Sequence, residues 1–207
     1  MRSVVPLFVL LLFALAASPA FGAITGSAHD FSTAGWNTTN EICAPCHTPH
    51  NADTTVANAP LWNHDVTTQV FTLYSSPTFD GVGTAGQPSG PSKLCLSCHD
   101  GTIALDNFGG FSGGNTFIAS PYDVGTDLSN DHPVSFTYDT SLATSDGGLF
   151  DPATHNSGLG GTITADLLYQ GKMECSSCHD VHDEAGISSL LVKSNAGSSL
   201  CLTCHDK

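Results

Sequence analysis

Apolar residues form one long uninterrupted run, Val4 to Ala17, behind Met1 and Arg2 and ahead of Ser18-Pro19-Ala20-Phe21-Gly22. A short positive start, a short apolar core and small residues before a cut predict an export signal over 1–22. Cleavage is expected after Gly22, with a cut after Ala20 as the alternative. The run falls short of the roughly 20 residues that cross a membrane, and no later run approaches it, so no membrane span is expected. Beyond Gly22 the pattern changes. Gly, Ser, Thr, Asn, Asp and Pro dominate long stretches, and apolar periodicity rarely lasts two helical turns. A short strand or two is expected near Val134–Tyr138. The closest approach to a regular helix is Ser188–Val192. This pattern predicts one domain, 23–207, that is mostly coil with few short helices. Side chains alone would struggle to offset the conformational entropy of such a chain, so something else should supply the core.

The cysteines say what. All eight fall into four copies of one motif: Cys43-Ala-Pro-Cys46-His47, Cys95-Leu-Ser-Cys98-His99, Cys175-Ser-Ser-Cys178-His179 and Cys201-Leu-Thr-Cys204-His205. C-x-x-C-H is the c-type haem attachment sequence. Two thiols three positions apart on one turn bond the two haem vinyl groups, and the adjacent His presents its imidazole to one face of the iron. Zinc sites, disulfide frameworks and thioredoxin-like motifs use paired cysteines too, but none requires a His after every second Cys. Four covalent haem c groups are therefore expected. Short helices should carry their motifs, and the fold should be that of a multihaem c-type cytochrome built around a haem stack.

His47, His99, His179 and His205 supply the proximal ligands. Past the signal only Met173 remains as a methionine, so the second ligands should be histidines. The candidates are His50, His64, His132, His182 and His29, five for four positions; His155 reads as an ordinary loop residue. His50 and His182 each follow a motif His by three residues and share its face of the turn. Trans ligands of one iron sit on opposite sides, roughly 4 Å apart at about 2 Å per bond. His50 and His182 should therefore ligate a haem other than their neighbour's. Asp100, Asp180 and Asp206 each follow a motif His, a turn or cap preference.

The motifs start 52, 80 and 26 residues apart. The long interval holds the glycine runs 109–114 and 158–161, with Phe108, Phe111, Phe117, Phe136 and Phe150 expected against haem edges. Residues 170–207 read as a paired-motif module. Nineteen acidic residues face only Lys93, Lys172, Lys193 and Lys207 past the signal. That balance argues against nucleic-acid binding, which needs a basic footprint.

The string Cys43–His50, Ala59-Pro60-Leu61-Trp62-Asn63-His64, Leu94–Gly101, Asp131-His132-Pro133-Val134, Cys175–His182 and Leu200–Asp206 resembles the tetrahaem doubled-CxxCH c-type cytochromes. In particular it resembles the OmcE-like extracellular filament cytochromes of metal-reducing bacteria. The resemblance implies bis-His haems in a continuous stack and electron transfer rather than enzymatic turnover. It implies a homopolymer joined by haem-to-haem contacts, with one distal His from the neighbouring subunit, His50 or else His29. It also implies exchange with redox proteins or extracellular metal oxides, at the cell surface or beyond. The alternatives are a soluble periplasmic tetrahaem shuttle and, third, a multihaem reductase.

Overall fold

A computed structural model describes residues 24–207; the export signal expected over 1–22 lies outside them. Regular elements are few, as the broken periodicity implies. Three short α-helices occur among the described residues: α1 (Gly90–His99), α2 (Thr140–Asp146) and α3 (Ile163–Asp166). The strands β1 (Phe136–Thr137) and β2 (Lys172–Met173) pair antiparallel, with Phe136 opposite Met173. The expected strand near Val134–Tyr138 is thus present. Turns, loops and single 3-10 turns make up the rest. No helix among the described residues is long and apolar enough to cross a membrane.

α1 is the organising element. Pro91 sits in its first turn, where a missing N–H costs nothing, and the buried Asp100 ends it. The Asp100 carboxylate receives Thr67 Oγ1 at 2.6 Å and both the N–H and hydroxyl of Thr102 at 2.8 Å. Leu94 packs with Val56 and Trp62, while Leu96 packs with Phe71 and Leu128. α2 is capped by Asp139, which accepts the Leu142 N–H at 2.9 Å, and ends on Gly147 at φ 69°, the left-handed stop that favours glycine. The largest apolar cluster gathers Phe136, Tyr138, Ala143, Ile163, Leu167, Leu168, Met173 and Cys204. Three small clusters in place of one broad core match a chain that needs an added core.

Two expectations about helices are corrected. The first motif lies on no helix: a single turn closes it, with the Cys46 and His47 N–H groups donating to the Cys43 carbonyl. Ser188–Val192 forms no regular helix either, only a 3-10 turn over Ser188–Leu190 with non-helical backbone inside it. Ser189 and Leu190 have φ of 64° and 54°, left-handed values that end any right-handed helix and turn their carbonyls toward the third motif. Two of the phenylalanines expected against haem edges, Phe111 and Phe117, are about half exposed. Phe136 is buried in the main cluster, and Phe150 stacks on His155 at 3.8 Å.

Candidate haem-binding site

Three of the four motifs are held by one device. In the first, His47 Nδ1 donates to the Pro60 carbonyl at 2.6 Å, the Thr48 N–H to Leu61 O, and the Asn63 N–H to Cys46 O. In the third, His179 Nδ1 donates to Ser189 O at 2.9 Å, the Asp180 N–H to Leu190 O, and the Val192 N–H to Cys178 O. In the fourth, the Asp206 N–H donates to Gly148 O and the Phe150 N–H to Cys204 O. Residues 60–63, 189–192 and 147–150 are thus equivalent backbone clasps, bridging His47–Trp62, His179–Leu191 and Leu149–His205 in one register. The first and third units match further. Asn51 and Asp183, each four residues past the motif His, both have φ 57°, and Leu61 and Leu190 have φ 55° and 54°. The second motif differs because α1 runs through it: His99 Nδ1 donates to Tyr122 O at 2.8 Å, and its carbonyl receives the Val124 N–H. Only the Trp62-Asn63-His64 context hinted at the clasps in the sequence.

The clasps fix protonation. A carbonyl only accepts, so His47, His99 and His179 carry their proton on Nδ1 and keep the Nε2 lone pair. That is the tautomer a metal-ligating imidazole needs, with its other nitrogen oriented by a backbone carbonyl. His132 is set the same way, Nδ1 donating to Pro133 O at 2.9 Å.

The imidazoles then meet in twos. Ring centres lie 6.3 Å apart for His47 and His182, 6.1 Å for His29 and His99, and 6.4 Å for His132 and His205. Two imidazoles on opposite sides of one iron, at about 2 Å per bond and about 1.1 Å from nitrogen to ring centre, have centres about 6.2 Å apart. Each pair joins a motif His to a non-motif His from a distant part of the chain. Among the described residues no group of three or more His, Cys, Asp or Glu converges as a metal site. His29 lies beside His99; burial first, then the charges of His99, His179 and His182, push it down to about 4, leaving its imidazole neutral at physiological pH.

The remaining candidates do not pair. His50 is exposed. His64 is buried, with Nδ1 2.8 Å from Asp65 O and Nε2 3.0 Å from Ala104 O and 3.6 Å from Cys98 Sγ. A neutral imidazole has one N–H and can serve only one of those carbonyls. His179 has no histidine at pair spacing among the described residues.

No two of the eight cysteines are joined as a disulfide. Burial pushes Cys46 and Cys204 up to about 11 and raises Cys98 and Cys178, which disfavours thiolate chemistry at neutral pH. The Cys175 N–H donates to Ser92 Oγ on α1 at 2.9 Å, so the second and third motifs adjoin. A cavity of about 320 Å³ is bounded by His132, His205 and Cys204, with Phe79, Phe136 and Tyr138 in its walls. Apolar walls, an attachment cysteine and a facing imidazole pair fit a covalently bound haem.

Residues 169–207 match the doubled CXXCH motif, which holds the third and fourth attachment sites. No curated protein matches the chain. Clasped C-x-x-C-H turns and the matched motif are those of multihaem c-type cytochromes with covalently attached haem, a class whose members transfer electrons. Such cytochromes usually work outside the cytoplasm, where haem attachment takes place.

Proposed function

We propose that this chain holds four c-type haems, each with two axial histidines, and that copies of it polymerise into an extracellular electron conductor. The observation that carries the bis-His reading is the set of three imidazole pairs at 6.1 to 6.4 Å. On that reading His182, His29 and His132 are the distal ligands opposite His47, His99 and His205. A haem held by these residues would supply one-electron exchange between Fe(III) and Fe(II). The protein supplies the rest. Backbone carbonyls of Pro60, Tyr122 and Ser189 orient the proximal rings, and the apolar clusters limit water.

The polymer reading rests on the fourth position. Among the described residues His179 has no partner ring, and the exposed His50 faces none. The first and third motif units share one backbone course, so His50 occupies the place that His182 occupies. His182 reaches from its unit to the imidazole of an earlier motif. His50, in the first unit, has no earlier motif to reach, and the His179 site of a second copy would accept it. The resemblance to OmcE-like filament cytochromes points the same way. Buried His64 then serves packing beside Cys98.

Electron microscopy of the natively exported, haem-loaded, untagged protein tests this reading. Filaments of uniform width, with His50 of one copy at the His179 haem of the next, are expected. Compact monomers carrying four haems would overturn the polymer and favour a periplasmic shuttle.

A further inference from the structure

The chain is strongly acidic, with a net charge of −14, and four lysines lie among the described residues. Lys193 is committed to the fold: its Nζ donates to Ser157 O at 2.6 Å and Thr203 Oγ1 at 2.9 Å. Lys207 borders the His132–His205 cavity. The other two, Lys93 on α1 and Lys172 on β2, line a separate cleft of about 360 Å³ together with Val56, Pro88, Tyr169 and Glu174. No motif cysteine and no histidine lines it, so it is not one of the imidazole-pair sites. Neither ammonium group is paired with a carboxylate among the described residues. Two uncompensated cations on one small cleft are unusual in a molecule with so many acids to spend on them.

The acid in the cleft does not cancel them. Glu174 is buried, and Ser92 and Ser135 both donate to its Oε2. Burial raises its carboxyl above the usual range, with the serine donors and Lys172 opposing, and this one carboxylate faces two ammonium groups. The cleft therefore attracts anions where the rest of the surface repels them. Its position matters as well. Lys93 stands two residues before Cys95 and Lys172 three before Cys175, and the Cys175 N–H donates to Ser92 of α1, so the two motifs adjoin. The cleft volume suits a small molecule rather than a protein side.

We propose that this cleft is a docking site for a small anionic one-electron carrier, held by Lys93 and Lys172 against Tyr169 beside the second and third haem attachments. It rests on the electron-transfer reading above. The exchange moves one electron from a ferrous haem to the oxidised carrier, leaving ferric haem and the reduced carrier, with no bond made or broken.

The test uses the haem-loaded protein and the Lys93→Gln, Lys172→Gln and double variants at low ionic strength. Hexacyanocobaltate(III), redox-inert, reports binding by calorimetry. Stopped-flow oxidation of the reduced protein by ferricyanide, against the cation hexaammineruthenium(III), reports exchange. The double variant should bind hexacyanocobaltate at least about 10-fold more weakly and lose a similar factor with ferricyanide, with no loss toward the cation. Unchanged binding and unchanged ferricyanide rates overturn the site. Equal losses with both oxidants, with shifted haem potentials, overturn it too and give the lysines to a haem. Hexacyanocobaltate bound as expected, with no electron passed to ferricyanide, sinks the electron-transfer reading while the anion site stands.

Discussion

His182→Ala removes the ring that faces His47 and nothing else near it. The two ring centres are 6.3 Å apart with planes 17° from parallel. The Asp180 turn that carries His182 is held by backbone donors, the His182 N–H at 3.0 Å and the Glu184 N–H at 2.7 Å, and both survive the change. The variant should therefore fold, load its haems and differ at one iron. On the bis-His reading every iron of the assembled wild type has two imidazoles, so the dithionite-reduced protein should take up no carbon monoxide. His182→Ala should open one haem of the four, His50→Ala a different one, and the double variant both, while His64→Ala opens none. The link from His47 to His182 also closes a loop of more than 100 residues, for which cross-linking is worth about 5 kcal/mol at most. At about 2–4 °C per kcal/mol for a domain of this size, melting should fall by up to roughly 10–20 °C. The assay is the Soret change on adding carbon monoxide, scaled to haem content, beside a melting curve. A His182→Ala protein that binds no carbon monoxide and melts like wild type would refute the pairing. An opened haem in His64→Ala would refute the packing role of His64.

Other expectations follow from single contacts. Asn63 braces the first clasp, its Nδ2 donating to Ala44 O and its Oδ1 accepting the Gly109 N–H; Asn63→Ala should cost about 1–3 kcal/mol, read by chemical denaturation at unchanged haem content. Tyr138 is buried, with its hydroxyl 2.6 Å from Phe150 O and 3.3 Å from Cys204 O, so Tyr138→Phe should lose about 1–3 kcal/mol, again by denaturation. Ile163 is fully buried in the main cluster, and Ile163→Ala should cost about 2–5 kcal/mol. Glu174 has its carboxyl raised above 4.5 by burial, with the serine donors opposing. A raised carboxyl lends stability that is full below its unfolded value and lost as pH rises through its folded value. Glu174→Gln should therefore flatten the fall in stability above about pH 4.5. A wild-type profile no steeper than the variant's there would count against a raised Glu174.

The attachment sites were legible because covalent haem chemistry is local: two cysteines and a histidine within five consecutive residues suffice, whatever surrounds them. Scarce regular structure was legible for a similar reason, since no apolar period ran long enough to build a helix longer than α1. Helix assignments were less secure. Ser188–Val192 has apolar spacing that suits a helix, yet Ser189 and Leu190 turn left-handed because their carbonyls serve the third motif. That demand comes from outside the segment, so local propensity does not register it.

The sequence by itself determined the chemistry of this protein, through four C-x-x-C-H motifs, a surplus of histidines and a strongly acidic balance. It also narrowed the second ligands to five histidines. Only the tertiary structure decided which imidazole faces which. His29 meets His99, His47 meets His182 and His132 meets His205 across at least 70 residues of chain. Pairing over such distances is set by the clasps and the three apolar clusters, and a spacing rule reaches no further than the turn that contains it. The meeting of Lys93 with Lys172 at one cleft has the same origin: 79 residues separate them, and only the packing of α1 against the β2 segment brings the two charges together.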